Sequence, residues 1–244
     1  VIENIPLFIL LAILAEIIGT LGGFGSSLLF VPIAGFFLDF HSVLGITALF
    51  HLASNVSKIL LFRKGFDKRL ILSMGLPSVI FVIAGAYLSK FFDGRVLETG
   101  LAVFLIILST ALFLFKNFAL KPTLANSLSG GALSGLIAGL VGTGGAIRGI
   151  TLAAFNLEKN IFIATSAMID LGTDLSRSVV YWSNGFIHRH DLYLVPILIG
   201  VGFTGTYIAQ KMLRYFSEKQ FKTTVLSLIF IVGVITLIKQ FGKS

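Results

Sequence analysis

Gly19-Thr20-Leu21-Gly22-Gly23-Phe24-Gly25 closes an apolar run that begins at Pro6. Gly139-Leu140-Val141-Gly142-Thr143-Gly144-Gly145 closes another that begins at Leu124. Gly19, Gly22 and Gly25 recur as Gly139, Gly142 and Gly145 at an offset of 120 positions. Several glycines within one turn break a helix, because glycine adopts positive φ freely and lets other backbone approach. Two such breaks in corresponding places predict a duplicated chain with one interrupted helix per copy.

The pattern holds outward from the breaks. Gly65-Phe66 recurs as Gly185-Phe186, Gly85-Ala86-Tyr87 as Gly205-Thr206-Tyr207, and Pro77 as Pro196. After the first break comes a short apolar piece, Ser26 to Phe37, a loop with Asp39 and His41, and three long runs, about 43–62, 70–91 and 96–115. After the second come 147–155, then 161–181, 192–213 and 221–238. Lys116 to Pro122 reads as the linker. The division is 1–120 and 121–244. Two copies this long are not a solenoid, whose units are far shorter; they are the internal repeat of a transporter-like fold.

The long runs approach the ~20 apolar residues that a bilayer-spanning helix needs, and they do not alternate as barrel strands do. The chain is 56% hydrophobic and 12% charged, with mean hydropathy +0.97. A soluble domain carries roughly 25% charged residues. The predicted fold class is therefore an all-α integral membrane protein. It is a polytopic bundle of two homologous halves, each with one glycine-broken helix and three spanning helices.

The net charge of +8 sits in short loops, at Arg63, Lys64, Lys68 and Arg69, and again at Lys211, Arg214, Lys219 and Lys222. This is the positive-inside pattern of a multi-pass plasma-membrane protein, not the footprint of nucleic-acid binding. If the broken segments cross the membrane, basic residues divide nearly equally between the sides. If they dip in and return, one side holds a roughly two-to-one excess, so the rule favours inverted halves with those loops cytoplasmic and both ends outside. The first residues, Val1 to Pro6, do not read as a signal peptide.

Absence of cysteine removes disulfides, thiolate metal sites and cysteine nucleophiles. No His-Glu-x-x-His and no phosphate-cradling Gly-x-x-x-x-Gly-Lys-Ser/Thr occurs, so neither a metalloenzyme nor an ATP-driven pump is expected, and no cofactor. An intramembrane enzyme would need a signature around Asp170 and Asp174 that is not there. His188 and His190 stand in a polar loop with Arg189 and Asp191, where solvation is the expected role.

Three groups of residues could carry chemistry. Unwound backbone at Gly22, Gly23 and Gly25, and at Gly142, Gly144 and Gly145, frees N–H groups at the start of the next half-helix, a natural anion site. The alternative is close helix packing. Next is a polar face: Thr47, His51, Asn55 and Lys58 in the first half, Ser166, Asp170, Asp174 and Arg177 in the second. The two sets correspond at an offset of 119, and each keeps to one helical face. Ionisable groups in mid-membrane cost roughly 2.5–3.5 kcal/mol on insertion scales unless they face a partner or water. Lys58 and Arg177 lie near the ends of their runs and could instead snorkel to the interface. Arg148, just past the second break, would strengthen anion capture. Asn55, Lys58, Arg148 and Arg177 are thus expected to bind a small anion, and His51, Asp170, Asp174 and Glu16 to couple protons. A passive anion channel would use the same cations without the coupling.

Gly19-x-x-Gly22-Gly23-x-Gly25 followed by Phe30-Val31-Pro32, and Gly139-x-x-Gly142-x-Gly144-Gly145, resemble the motif of the TauE/SafE sulfite exporter family. The resemblance covers nearly the whole chain. It implies secondary transport of sulfur-containing anions: sulfite, thiosulfate, sulfoacetate, sulfopropionate or taurine-derived species. The chain departs from the pattern at Ala146 to Leu152, where the family tends to place a further glycine and Val-Pro, and at Phe24, Ser26 and Ser27, where more glycine is usual. Arg148 stands within the first departure.

Overall fold

A computed structural model describes residues 2, 4–115, 120–213, 215 and 218–242, the side chains of 218–225 excepted. Of the expected linker, residues 116–119 lie outside the described residues; so do Arg214 and the side chains of Lys219 and Lys222. The described chain is helical and multi-pass. Its helices are α1 (Ile5–Gly22), α2 (Ser27–Ala34), α3 (Phe40–Leu61), α4 (Lys68–Ser89) and α5 (Gly94–Leu114), then α6 (Leu124–Val141), α7 (Gly145–Ala153), α8 (Lys159–Ser183), α9 (Leu194–Met212) and α10 (Glu218–Phe241). Among the described residues, α1, α3, α4, α5 and α6 are long and apolar enough to cross a membrane.

Local chemistry sets the helix ends. Asn4, Asp39, Asp67 and Thr123 each accept a backbone N–H of the first turn of α1, α3, α4 and α6, which satisfies one of the donors a helix start leaves free. Asp39 is therefore a cap, and His41 belongs to the first turn of α3 rather than to the loop. α1 and α6 stop at glycines in the left-handed region, Gly23 at φ 68° and Gly142 at φ 83°, where a Cβ is strained. Matching residue types pairs Gly22 with Gly142; the cap geometry pairs Gly23 with Gly142, because the residue just past the helix is the one that must turn left-handed.

Both interrupted segments fold back on themselves. Phe8, early in α1, packs its ring on Phe30 and Phe37 at 5.9 and 5.3 Å, so α2 returns along α1. Gly19 lies directly against the Ser26 backbone, and Gly25 N–H donates to the Gly19 carbonyl at 3.2 Å. In the second segment Gly144 lies on the Ser134 carbonyl and Gly130 on Thr151. Each segment is a helical hairpin with its glycines at the tip.

Contacts between elements give the relative directions. Asn55 meets Asp174 and His51 meets Arg177, so α3 and α8 run antiparallel. Glu98 meets Lys239 while Gly233 lies against Leu105, so α5 and α10 are antiparallel too. α4 and α6 run side by side in the same direction, with Gly131, Gly135 and Gly139 against the backbone of Met74, Ser78 and Val82. This is the small-residue stripe that lets membrane helices approach closely. At all three positions a Cβ would overlap the facing carbonyl, so Gly139 serves packing.

The burial pattern suits lipid. Leu72, Leu76 and Ile80 of α4, Ile107 of α5 and Val179 of α8 are exposed, while Glu16, Ser54, Asn55, Lys58, Arg148, Asp174 and Arg177 are buried. α3 and α8 are the two struts at the centre of the bundle. Their crossing at Asn55 and Asp174 places the polar faces of both helices together in the interior.

Candidate functional site

The two hairpin tips meet beside the crossing of α3 and α8. Gly145 lies on the Phe24 carbonyl, and Gly149 lies against the Phe24 ring. The Thr143 hydroxyl donates to Ser27 Oγ at 3.1 Å. A side chain at Gly145 would force the tips apart, which is a physical reason for glycine there.

Around the first tip, Glu16 is the centre. Its carboxylate accepts hydroxyls from Thr20 at 2.9 Å, Ser26 at 2.6 Å, Ser54 at 2.6 Å and Thr206 at 2.9 Å. Lys58 Nζ lies 2.7 Å from the same carboxylate. These donors come from α1, the tip, α3 and α9, so the fold assembles the cradle. A fully buried carboxylate is tolerable only with such partners. His51 Nε2 lies 3.0 Å from Ser26 Oγ and its Nδ1 lies 3.4 Å from an Arg177 nitrogen, so the imidazole bridges the first tip and α8.

Around the second tip, Arg177 dominates. It pairs with Asp174 at 2.7 Å and donates to the carbonyls of Gly142 at 2.9 Å and Ala138 at 3.3 Å. Tyr181 adds a bond to the Gly139 carbonyl at 2.7 Å. The last carbonyls of a helix lack partners and carry partial negative charge, so a guanidinium there satisfies both needs. Asn55 donates to the other oxygen of Asp174 at 2.7 Å. Arg148 donates to Ser166 Oγ at 2.8 Å and pairs with Asp170. Lys58 and Arg177 are both buried, so the geometry excludes snorkelling for either.

A cavity opens between the first tip and α8. It is lined by Gly19, Thr20, Gly23, Gly25, Asn55, Lys58, Arg148, Ile163, Ser166, Ala167 and Asp170. It is small, with room for about one water. The cations at its wall are Lys58 and Arg148, and the carboxylate is Asp170. Of the expected binding residues, Gly23, Gly25, Asn55, Lys58 and Arg148 reach this wall. Gly22, Gly142, Gly144, Gly145 and Arg177 do not; the last four hold the second tip together. Of the expected proton carriers, Asp170 reaches the wall, while Glu16, His51 and Asp174 stand behind it. Thr20 and the hydroxyls of Ser26, Ser54 and Thr206 were not singled out from sequence. Single hydroxyls in apolar runs carry little signal until a buried carboxylate shows where they converge.

The residues at this wall lie within a region of known lineage. The sequence pattern of the family described as "Sulfite exporter TauE/SafE" matches residues 8–236. The chain belongs to this family. A protein of Methanocaldococcus jannaschii named as a probable membrane transporter is 24% identical to it over 261 aligned positions, spanning 96% of each chain. No solved structure matches. The family pattern spans both hairpins and both struts, so the tip-to-tip contact and the cavity beside it lie inside the shared architecture.

Proposed function

We propose that this protein is a secondary transporter of a small anion, with sulfur oxyanions and organosulfonates such as sulfite, thiosulfate or sulfoacetate as the cargo class, held in the cavity between the first hairpin tip and α8. One observation carries the reading: Lys58 and Arg148 are buried side chains at the wall of a cavity beside the contact of two hairpin tips. Family membership supplies the sulfur chemistry, and the name of the archaeal relative agrees with transport.

The halves 1–120 and 121–244 form an inverted repeat in this reading. Support comes from counterpart helices running antiparallel, α3 with α8 and α5 with α10. The end bearing Arg63 to Arg69 faces the cytoplasm of a plasma membrane, as the positive-inside rule requires. The cavity is too small for an oxyanion, so cargo enters only when one half rocks against the other and the tips part. A cavity of this size favours alternating access over a continuously open channel.

The cluster's charges balance: Lys58, Arg148 and Arg177 face Glu16, Asp170 and Asp174. An arriving anion adds a negative charge to a neutral, desolvated site. Protonation of Asp170 frees Arg148 for the anion and restores neutrality, which couples cargo to a proton. The test is flux of labelled sulfite, thiosulfate and sulfonates in proteoliposomes with and without a pH gradient. Saturable flux accelerated by the gradient is expected; non-saturating flux indifferent to the gradient establishes the channel instead.

A further inference from the structure

At the far end of α3 from the basic loop, the segment after α8 packs on the helix start. Gly45 lies against the Phe186 carbonyl, and Ser42 Oγ hydrogen-bonds His188 Nδ1 at 2.7 Å. The segment then makes one 3₁₀ turn, Arg189–Asp191, before α9. That turn brings His188, His190 and Asp191 together, with one ligand atom from each inside a 4.8 Å radius of the others. None of them takes part in the transport cavity.

Asp191 is the anomaly. It is 3% exposed, and its Oδ2 has no hydrogen-bond partner. A buried carboxylate oxygen without a donor is costly. Both oxygens instead face imidazoles, Oδ2 at 3.7 Å from His188 Nδ1 and Oδ1 at 3.4 Å from His190 Nε2. The two rings stack at 5.2 Å with an 18° tilt. Ligands about 2.0–2.2 Å from a tetrahedral ion lie roughly 3.3–3.6 Å from one another. The two carboxylate–imidazole separations, each to its own oxygen, are close to that spacing. One ligand atom from each of the three residues lies within 4.8 Å of the others, a set that small side-chain rotations would draw onto an ion.

We propose that His188, His190 and Asp191 form a binding site for a divalent transition-metal ion of the zinc type. Two imidazoles and one carboxylate suit a borderline ion in three-ligand coordination, with water in the fourth position. The site departs from the solvated role expected for these histidines. His-x-His-Asp is not a familiar ligand spacing; the 3₁₀ turn is what folds three consecutive-turn side chains onto one point. Ligation through His188 Nδ1 competes with the Ser42 hydroxyl. Metal binding therefore bears on the contact between the α8–α9 segment and α3, one from each half, and the ion is a candidate modulator of their relative motion.

The experiment uses the purified full chain in nanodiscs, titrated with Zn²⁺ against a chromophoric chelator, and with Co²⁺ to read the intense visible bands of tetrahedral coordination. One ion per chain and a Co²⁺ spectrum of that kind are expected. His190→Ala should weaken binding at least tenfold with no change in melting temperature, because His190 is exposed. Asp191→Asn should abolish the Co²⁺ bands, and His188→Ala should do the same. Absence of binding at 100-fold excess of Zn²⁺ over protein, or equal affinity in the His188→Ala/His190→Ala double variant, overturns the site.

Discussion

The two hairpins share a backbone plan and use it differently. The α6–α7 tip is satisfied by α8: Arg177 and Tyr181 cover the carbonyls of Ala138, Gly139 and Gly142, and Asp174 neutralises the guanidinium. At the α1–α2 tip the counterpart cation, Lys58, leaves the helix end alone and pairs with Glu16 inside a ring of hydroxyls. Glu16 has the apolar Leu136 as its counterpart, and Arg148 has Leu28. The first tip contributes glycine backbone to the cavity wall, and the second hairpin contributes the Arg148 side chain. The glycines of the first tip line the site, while those of the second serve packing.

That comparison makes ranked predictions. The largest effect is expected at the contact that holds the tips. Gly145→Ala places a Cβ on the Phe24 carbonyl, and should yield little folded protein by size-exclusion chromatography in detergent. Next is Arg177→Ala, which leaves Asp174 buried without its charge partner. Breaking such a pair costs about 3–5 kcal/mol, so a large drop in thermal stability should accompany any loss of flux. Equal stability of Arg177→Ala and wild type would show that the second tip is not framework.

Lys58→Ala and Arg148→Ala should differ in kind. They face the cavity, so flux should fall at least tenfold, with Arg148→Ala raising the concentration for half-maximal flux. Lys58→Ala also strips buried Glu16 of its charge partner and should lower thermal stability, whereas Lys58→Arg should restore the stability. Intact flux in both variants sinks the assignment of the cargo cations. Asp170→Asn should sharpen the picture further, leaving anion exchange in place while removing acceleration by a pH gradient. At the small end, Lys64→Ala breaks an exposed ion pair with Glu158 at 2.8 Å. Exposed pairs contribute little, and neither melting temperature nor flux should move measurably. The Lys64 pair holds Glu158 below the usual carboxylate range, together with a bond from Asn160, but on a surface this open that shift carries no weight for function.

Much of the molecule was legible without coordinates. The apolar runs matched helices closely, as in Leu124 to Val141 for α6 and 43–62 against α3 (Phe40–Leu61). Helix length and hydropathy are local properties, and lipid enforces internal hydrogen bonding. The polar faces of α3 and α8 were legible for the same reason: their spacing follows from the helical period. The roles within those faces were not. Lys58 and Arg177 occupy matched positions, and sequence alone gave them one role.

What sequence determined by itself, then, is an all-helical, membrane-embedded chain with charges forced inward. These follow from the free energy of moving backbone and charge into lipid, which depends on composition and period alone. Tertiary structure decided that the broken segments fold back, that their tips touch, which cation covers carbonyls and which faces a cavity, and that His188, His190 and Asp191 converge. Those outcomes depend on which distant elements come within a few ångströms, and hydrogen bonds and close packing act only at that range.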